Sequence, residues 1–374
     1  MNGVTGRMGH HQHLVGSVLA LRARGGIDAG DGTVLWPEPV LVGRDARRLR
    51  ALAERYGIDR WTTDLDAALA EPDVSVYFDA QTTAARESAL HRAIAAGKHV
   101  YCEKPVAGDV GGALALYHAA RQAGVKHGVV QDKLFLPGIR KLKRLLDGGF
   151  FGRVLSVRGE FGYWVFEGDW QPAQRPSWNY REEDGGGITA DMFPHWEYLL
   201  RELFGPVRSV QAHLATHIPR RWDENGMPYR ATADDAVYAV MELEGGVVAQ
   251  FNSSWTVRVH RDELLELQVD GTEGSAVAGL RHCRVQHRSC TPKPVWDPDR
   301  AAAGDFRAAW QEVPDNGEFD GAFLAQWELF LRHVAMDGPW RFGLDAGARG
   351  VHLGLLARMS AQDGRRLHWG ELAP

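Results

Sequence analysis

An aspartate and a histidine stand four residues apart in the second half of the chain, shortly after a run of three glycines at 185–187. The apolar spacing after the glycines is helical, so Asp191 and His195 are expected on one helix face, with Cβ atoms about 5 to 6 Å apart. Histidine exchanges a proton near neutral pH, and an adjacent carboxylate orients the ring and supports its charged form. Pro194 fits a helix only in its first turn, so the register is expected to shift by a residue or two. The alternative is an aspartate that caps the helix and a histidine packed within the domain interface.

A lysine followed by a proline ends an apolar run in the first half of the chain. Glu103, Lys104 and Pro105 come directly after residues 99–102. A lysine in that place reaches the nicotinamide end of a nucleotide cleft, while the proline fixes a turn and is a candidate cis residue. Strand-end lysines are commonly only exposed to solvent, so the motif alone is ambiguous.

Glycines also recur at every third position near the N-terminus. Such spacing lets the backbone turn sharply and approach a pyrophosphate, which then sits on the N-terminal amides of the following helix. The alternative is an ordinary glycine-rich loop before a helix. The residues expected to hold a cofactor in this turn are Gly3, Thr5, Gly6, Arg7, Met8 and Gly9.

The elements that position these residues are short apolar strands alternating with helical patterns. The strands are expected at residues 40–42, 74–78, 99–102 and 125–131. Continuous apolar strands separated by helices predict an α/β fold with a parallel sheet covered on both faces. The chemistry of such a sheet lies at the carboxyl ends of its strands. We assign residues 1–133 to this dinucleotide-binding Rossmann domain.

The strand that should feed the glycine turn is represented by Met1 and Asn2 alone, whereas strands average about 5 to 6 residues. A first strand of this kind is central, and its loss leaves two neighbours unpaired. We therefore expect a gap in the sheet and poor retention of the cofactor. Our hypothesis is that the translation start has been placed too late. An in-frame apolar pentad in the upstream DNA would support it, and a stop codon would contradict it.

The pattern of apolar and polar residues changes after Pro137. One basic helix at 139–146 is followed by long alternating stretches at 154–166, 236–243, 247–257 and 264–269. Alternation of this kind predicts a large, mostly antiparallel open sheet with one wet face. We assign residues 134–374 to an α+β domain for substrate binding and oligomerisation.

Gly43 and Arg44 follow the second strand and bear on the choice of nucleotide. A small residue followed by arginine leaves room for, and pairs with, the extra phosphate of NADP, so NADP is slightly favoured over NAD. The alternative is that Arg44 stacks on adenine and Asp45 caps the next helix. The other positions expected at the cofactor are Ala80, Thr82, Glu103 and Gln131.

An unusually aromatic segment leads into the glycines at 185–187. Aromatic faces pack on the apolar side of a sugar ring, although a place in the core or at a subunit interface fits this segment equally well. The residues expected to bind substrate are Lys133, Tyr163, Trp178, Tyr180 and Arg181.

Together these motifs resemble those of the Gfo/Idh/MocA family of sugar oxidoreductases, from Gly3 to a final helix near 346–360. Residues 95–105 look like the lysine motif of the family, and residues 185–195 look like its glycine and Asp-x-x-x-His motif. The resemblance implies a Rossmann domain packed on an α+β domain, with the nicotinamide between them. It implies that Lys104, Asp191 and His195 surround a sugar, cyclitol or glycoside carbinol. His195 would then take the hydroxyl proton, while Asp191 and Lys104 bind and polarise the hydroxyls.

The chain departs from the family pattern after its fourth strand. Many relatives carry a Pro-Asn pair and a later histidine there, where this chain has Asp79-Ala80-Gln81-Thr82 and Arg86. Close analogy of substrate is therefore in doubt. Two alternatives stay open: an NAD-dependent glycosidase that works by transient ring oxidation and elimination, and a non-catalytic nucleotide-sensing regulator.

Composition narrows the possible partners. The 374 residues carry a formal net charge of -5, which gives no field for nucleic acid or acidic membranes. Three cysteines form no disulfide framework, and no apolar run is long enough to cross a bilayer, so a cytoplasmic location is expected.

No metal is expected at His282, Cys283, His287 and Cys290, or at the helix-start imidazoles His10, His11 and His13, which we take as exposed bystanders. The open sheet face favours a homodimer or homotetramer.

Overall fold

The N-terminal part of the computed structural model alternates short strands with helices. The structure describes residues 1–293, 297, 299, 305–317 and 319–372. The strands of this part are β1 (Ile27–Asp28), β2 (Val34–Leu35), β3 (Leu41–Val42), β4 (Trp61–Thr62), β5 (Val76–Asp79), β6 (His99–Cys102) and β7 (His127–Val129). Its helices are a π-helix (Met8–Leu19), α1 (Ala20–Ala23), α2 (Ala46–Tyr56), α3 (Leu65–Ala70), α4 (Thr83–Ala95) and α5 (Val110–Gln122). Strands β3 and β4 pair in parallel, as do β5, β6 and β7, which is the predicted parallel arrangement.

Met1 and Asn2 lie between β3 and β5, where the central strand was expected to be missing. Asn2 bridges both neighbours in parallel. The Asn2 amide donates to the Phe78 carbonyl at 2.8 Å, its carbonyl accepts from Ala80 at 3.0 Å, and the Met1 carbonyl accepts from Val42 at 2.8 Å. Two residues therefore join the β3–β4 ladder to the β5–β6–β7 ladder at the edge where the glycine turn begins.

Side chains at helix starts explain where the first helices begin. Asp45 accepts a hydrogen bond from the Arg48 amide at 3.1 Å and caps α2, which was the alternative role considered for it. Asp109 accepts from the Gly112 amide at 2.8 Å and caps α5 in the same way. These caps fix the points at which the chain leaves the carboxyl edge of the sheet.

The second half of the chain is built around one large mixed sheet, beside which lies a separate two-stranded sheet. Its strands are β8 (Val154–Gly162), β9 (Val207–Ala215), β10 (Arg220–Trp222), β11 (Pro228–Arg230), β12 (Ala236–Leu243), β13 (Val248–Ser254), β14 (Leu265–Gly271), β15 (Gly274–Gly279), β16 (Cys283–His287), β17 (Gln311–Glu312) and β18 (Leu367–His368). Its helices are α6 (Pro137–Asp147), α7 (Ile188–Phe204), α8 (Ala322–Met336) and α9 (Leu344–Asp363). Among the described residues the strand order is β17-β16-β15-β14-β8-β13-β12-β9-β18, and β8 with β13 is the parallel pair in an otherwise antiparallel ladder.

Alternation along each strand separates an inner from an outer face. On β12, Val237, Ala239 and Met241 are buried, whereas Tyr238 and Val240 are 39% and 50% exposed. Helices α7 and α9 pack on each other and against the inner face. The outer face is left open, as the alternating sequence pattern predicted.

The last two helices return to the nucleotide-binding part. Trp327 and Phe330 of α8 share a core cluster with Tyr101 and Val130, and Phe330 stacks on Tyr101 with ring centroids 4.6 Å apart. The start of α9 packs into the cluster beneath β6 and β7. Residues far beyond 133 thus complete the core of the first domain, and the boundary at 133/134 stays a prediction.

Candidate active site

Backbone atoms packed close to Gly3 and Gly9 explain why the N-terminal turn has glycine at these positions. Gly3 has φ +83°, and a Cβ on it would lie 2.6 Å from the Ala80 carbonyl carbon at the end of β5. A Cβ on Gly9 would lie 2.4 Å from the Gly3 oxygen, whereas Gly6 is exposed. The turn is therefore a bare backbone surface at the start of the π-helix. That geometry fits a pyrophosphate on helix amides, so these residues suit NAD or NADP.

The other positions expected at the nucleotide lie around the same edge. Gly43 follows β3 and Ala80 follows β5, and Met1 and Asn2 separate these two strands. Arg44 is exposed, so its guanidinium is available to a phosphate. The remaining positions predicted in this region are the exposed Arg7 and Thr82, the half-buried Thr5 and Met8, and the buried Gln131 after β7.

Glu103 is buried, and both of its carboxylate oxygens have partners. Oε1 accepts from His13 Nε2 at 2.8 Å, and Oε2 accepts from the Lys104 amide at 3.1 Å. Trp327 Nε1 donates to His13 Nδ1 at 2.9 Å, so His13 keeps its proton on Nε2. Burial alone would raise the pKa of Glu103, but the His13 hydrogen bond holds it below its ordinary value. His13 is 0% exposed, so the expectation of an exposed bystander is wrong for this residue. The predicted cofactor contact of Glu103 stays a prediction.

Lys104 and Asp191 meet across the two halves of the chain. Lys104 Nζ donates to Asp191 Oδ1 at 2.6 Å and to the Asp191 carbonyl oxygen at 2.9 Å, and the Lys104–Pro105 peptide is cis. Arg175 Nη1 donates to Asp191 Oδ2 at 3.0 Å. This carboxylate lies between two cations, and its side chain keeps 25% of its surface exposed.

The two cations keep Asp191 ionised. Burial by itself would raise the pKa of the carboxyl, but Lys104 and Arg175 outweigh burial and hold that pKa well below its usual range. A carboxylate fixed in its charged form accepts hydrogen bonds and does not donate them. Asp191 is thus suited to binding hydroxyl groups.

His195 has a set of partners that the sequence did not indicate. Its Nε2 lies 3.2 Å from Lys133 Nζ, and its Nδ1 lies 2.7 Å from the Tyr198 hydroxyl. Tyr198 in turn donates to Asp132 Oδ1 at 3.4 Å. Within the described residues no hydrogen bond joins Asp191 to the ring, so the expectation that Asp191 orients His195 is wrong. The Asp191 oxygens accept instead from Lys104 and Arg175.

The pKa of His195 lies well below the ordinary value. Burial is the largest cause, and the positive charges of Lys133 and Lys104 act in the same direction. Asp191 opposes them without reversing the shift. His195 is therefore a neutral imidazole at physiological pH, able to accept a proton.

The glycines at 186 and 187 set the start of α7. A Cβ on Gly186 would lie 2.5 Å from the Trp178 oxygen, and one on Gly187 would lie 2.4 Å from Asp234 Oδ1. Asp234 Oδ2 accepts from the Thr189 amide at 2.8 Å and from the Thr189 hydroxyl at 2.6 Å. This side chain from a distant loop caps the helix and so fixes the direction of the catalytic face.

Pro194 lies inside α7, and the helix runs unbroken through it. The expected shift of register is therefore wrong. A proline at this place removes one hydrogen bond to the Ala190 carbonyl, which the rest of a 17-residue packed helix tolerates. Asp191 and His195 consequently sit on one face as predicted, one turn apart.

The four aromatic and basic residues expected at the substrate are placed differently from one another. Tyr163 joins the site, because its hydroxyl accepts from Arg175 Nε at 2.8 Å. Trp178 is 40% exposed and Arg181 lies 4.7 Å from the Tyr229 ring. Tyr180 is 1% exposed and packs edge-on against Trp255, which fits the core role considered for this segment. The structure brings Tyr163 and Lys133 to the candidate catalytic residues, and it places Tyr180 in the core.

Three residues of the site were missed from sequence. Arg175 lies in the aromatic segment, where attention fell on the rings. Tyr198 stands three residues after His195, a spacing that places it on the same helix face and could have signalled the contact. Asp132 precedes Lys133 and showed no distinguishing pattern.

Asp79 and Arg86, where the chain departs from the family pattern, form a buried ion pair. Arg86 Nε donates to Asp79 Oδ1 at 3.1 Å, and the side chains are 3% and 0% exposed. Arg86 also donates to the carbonyls of Gln81 and Pro105. The departure therefore supports the turn that carries Lys104.

The part of the chain that the structure describes contains neither a cluster of metal-ligating side chains nor a membrane-spanning helix. No three or more His, Cys, Asp or Glu side chains there are arranged to hold a metal ion. Cys283 is buried in β16 and Cys290 is exposed. No helix among the described residues is long and apolar enough to cross a membrane.

Comparison with known proteins identifies the family. Residues 39–131 match the model of an oxidoreductase family with an NAD-binding Rossmann fold, and residues 139–277 match the GFO/IDH/MocA C-terminal domain. A D-xylose dehydrogenase of Paenarthrobacter nicotinovorans is 56% identical over 100% of this chain and 97% of its own length. A levoglucosan dehydrogenase of Pseudarthrobacter phenanthrenivorans is 28% identical over 65% of this chain and 66% of its own length.

A solved structure supports the same fold. Levoglucosan dehydrogenase in complex with NADH and L-sorbose superposes with a TM-score of 0.80 at 22% identity, covering 98% of this chain and 97% of that one. The predicted two-part architecture is therefore confirmed. The chain belongs to the Gfo/Idh/MocA family and is an NAD(P)-dependent sugar oxidoreductase.

Proposed function

We propose that this protein oxidises D-xylose, or an aldose close to it, at a carbinol carbon. The observation that carries the proposal is the meeting of Lys104, Asp191 and neutral His195 at one cleft. The full-length similarity to a D-xylose dehydrogenase at 56% identity supports this choice of sugar. The same site can run in the direction of carbonyl reduction.

In the proposed reaction Asp191, Lys104 and His195 have different roles. Asp191 and Lys104 bind neighbouring hydroxyls, since one is a fixed anion and the other a fixed donor. His195 Nε2 accepts the hydroxyl proton of the carbinol that is oxidised. Arg175, through its free Nη2 edge, and Lys133 border the same space and are proposed to contact the sugar. NAD(P)⁺, when bound, supplies the hydride acceptor.

We propose NADP⁺ as the slightly favoured cofactor, with the turn at 3–9 under its pyrophosphate. Exposed Arg44 after Gly43 supports a contact with the additional phosphate. Ala80, Thr82, Glu103 and Gln131 are proposed to border the rest of the nucleotide. Three unpaired cysteines fit a reducing compartment, so we place the reaction in the cytoplasm.

We also propose that the open sheet face pairs with a second copy, giving a homodimer or homotetramer. Tyr238, Val240 and Val248 point outward from adjacent strands and are 39%, 50% and 47% exposed. Apolar side chains on a flat, regular face favour a self-complementary contact. Light scattering coupled to size exclusion measures the oligomeric state, and Val240→Glu is expected to shift it toward the monomer.

The experiment that tests the activity is a panel of aldoses, inositols and glycosides assayed with NAD⁺ and NADP⁺ separately. We expect reduced nicotinamide to accumulate, with the highest kcat/KM for D-xylose. Release of an aglycone without net reduced cofactor would instead indicate the glycosidase. Nucleotide binding without turnover of any sugar would indicate the regulator.

A further inference from the structure

The hydrogen bonds around His195 can be assigned a direction, because each partner has a fixed capacity to donate or accept. Lys133 Nζ lies 3.2 Å from His195 Nε2, and an ammonium group only donates. Nε2 must therefore accept, which leaves its lone pair without a proton. In a neutral imidazole the proton then resides on Nδ1.

Among the described residues the Nδ1 proton has one hydrogen-bond acceptor, the Tyr198 hydroxyl at 2.7 Å. That oxygen also accepts the backbone N–H of Lys133 at 3.2 Å. With both lone pairs engaged, the hydroxyl proton of Tyr198 is left to donate to Asp132 Oδ1 at 3.4 Å. A carboxylate only accepts, so the direction of the whole chain follows from its two ends.

Burial keeps this chain of bonds from exchanging its partners with water. His195 is 4% exposed, Tyr198 is 3% exposed and Asp132 is 9% exposed. Burial, reinforced by the Asp132 carboxylate, also raises the pKa of Tyr198 well above its ordinary value. Tyr198 therefore stays protonated and holds the ring in place without taking a proton from it.

We propose that Tyr198, held by Asp132, is the positioning residue that fixes His195 as the tautomer protonated on Nδ1, so that Nε2 is the base once the carbinol hydroxyl takes the place of Lys133 Nζ beside it. The proposal rests on the proposed function, since it names the atom that receives the hydroxyl proton. As the O–H bond of the carbinol breaks, its proton bonds to Nε2 and the ring becomes a cation. That cation shares its charge through Nδ1–H with Tyr198 and Asp132, and no proton moves on to either of them. The released electron pair forms the new C=O bond as the hydride leaves the same carbon.

The assignment can be tested without turnover, by nitrogen NMR of protein labelled with ¹⁵N-histidine. The His195 signal is identified by its loss in His195→Ala. We expect the wild-type enzyme to carry the Nδ1–H neutral tautomer at physiological pH. In Tyr198→Phe the Nδ1 proton loses its acceptor and Lys133 alone is left to hold the tautomer, so we expect a mixture in which the Nε2–H form is detectable beside the Nδ1–H form. A wild-type ring protonated on Nε2 would overturn the proposal.

Kinetics supply the second measurement. Tyr198→Phe should lower kcat by about one to two orders of magnitude with little change in KM, since a positioned base contributes about 10² to 10⁴ in rate. Tyr101→Phe is the matched control, because the Tyr101 hydroxyl is buried without a hydrogen-bond partner among the described residues. Asp132→Asn keeps an acceptor for Tyr198 and should retain more activity than Asp132→Ala. If Tyr198→Phe matches Tyr101→Phe in kcat while the NMR tautomer is unchanged, the proposal is wrong.

These readouts separate two kinds of failure. If the wild-type enzyme turns over no sugar, the proposed function fails, yet the tautomer of His195 can still be read from the NMR spectrum. If Tyr198→Phe does not fold, as judged by its melting transition, the comparison of Asp132→Asn with Asp132→Ala and the wild-type spectrum decide the question.

Discussion

Lys104 Nζ lies 2.6 Å from Asp191 Oδ1, and this contact joins the end of β6 to the first turn of α7. The two residues are 87 positions apart in sequence. Each belongs to a motif that is ambiguous alone, and their contact places both motifs in one cleft.

The Lys104–Asp191 contact predicts the effect of neutralising the carboxylate. In Asp191→Asn, Lys104 and Arg175 face each other with no anion between them, and the amide holds sugar hydroxyls less well. We expect kcat/KM to fall by about 10²-fold or more, a loss of roughly 3 kcal/mol of transition-state stabilisation. Affinity for the nucleotide, measured by fluorescence titration, should change little. Equal losses in nucleotide and sugar affinity would contradict this role.

The contacts of Arg175 predict that a lysine in its place will not preserve the activity. Its guanidinium contacts Asp191, Tyr163 and Asn179 at once and lies over the Trp255 ring at 4.3 Å. Lysine keeps the charge but lacks the planar fork, so Arg175→Lys should lose most of the activity that Arg175→Met loses. Steady-state kinetics of the two variants measure the loss of activity in each.

The control for Arg175 is Arg24→Lys, at a site where the arginine side chain is 52% exposed. That variant should match the wild-type enzyme in kcat and KM. Full activity in Arg175→Lys would show that charge alone is needed at position 175.

The sequence indicated the candidate catalytic residues but not most of the side chains that contact them. Asp191 and His195 were found because helical spacing is local, and Lys104 because it follows an apolar strand. Asp132 and Tyr198 contact each other across 66 positions, and no local pattern encodes that contact. Likewise, the burial of His13 depends on Glu103 and on Trp327 of a helix near the other end of the chain. Contacts of this kind depend on how the domains pack.

The glycine turn predicts that one added methyl group weakens nucleotide binding. In Gly3→Ala the Cβ would lie 2.6 Å from Ala80, and φ +83° is a conformation that costs other residues roughly 1 to 2 kcal/mol. We expect the nucleotide Kd, measured by fluorescence, to rise at least about tenfold. Gly57→Ala is the control, because Gly57 also has positive φ, at +63°, but no atom lies within 4 Å of its Cβ position. It should lower stability and leave the Kd unchanged.

Neutral His195 predicts a dependence of stability on pH. Its pKa is lower in the folded protein than in the unfolded chain, so the unfolded state binds more protons as the pH falls below about 6.5. The free energy of unfolding should therefore decrease on acidification, by up to about 1.4 kcal/mol per pH unit from this residue. In His195→Gln the slope between neutral and mildly acidic pH should be smaller, as measured by urea unfolding. An identical slope would show that the ring binds protons alike in the folded and unfolded states, contrary to a lowered pKa in the folded protein.

The buried Asp79–Arg86 pair predicts a large loss of stability when only one partner is removed. In Arg86→Met the Asp79 carboxylate stays buried without its cation, and the Pro105 and Gln81 carbonyls lose a donor. Removing one partner of a buried pair costs about 3 to 5 kcal/mol, whereas an exposed pair contributes about 0 to 1 kcal/mol.

Arg60→Met is the matched control, since Arg60 pairs with Asp73 at the surface, where the side chains are 35% and 63% exposed. In Asp79→Asn/Arg86→Met much of the loss should be recovered, because no uncompensated charge remains. Chemical denaturation of the single and double variants measures the coupling, and additive losses would mean that the two side chains stabilise the turn independently.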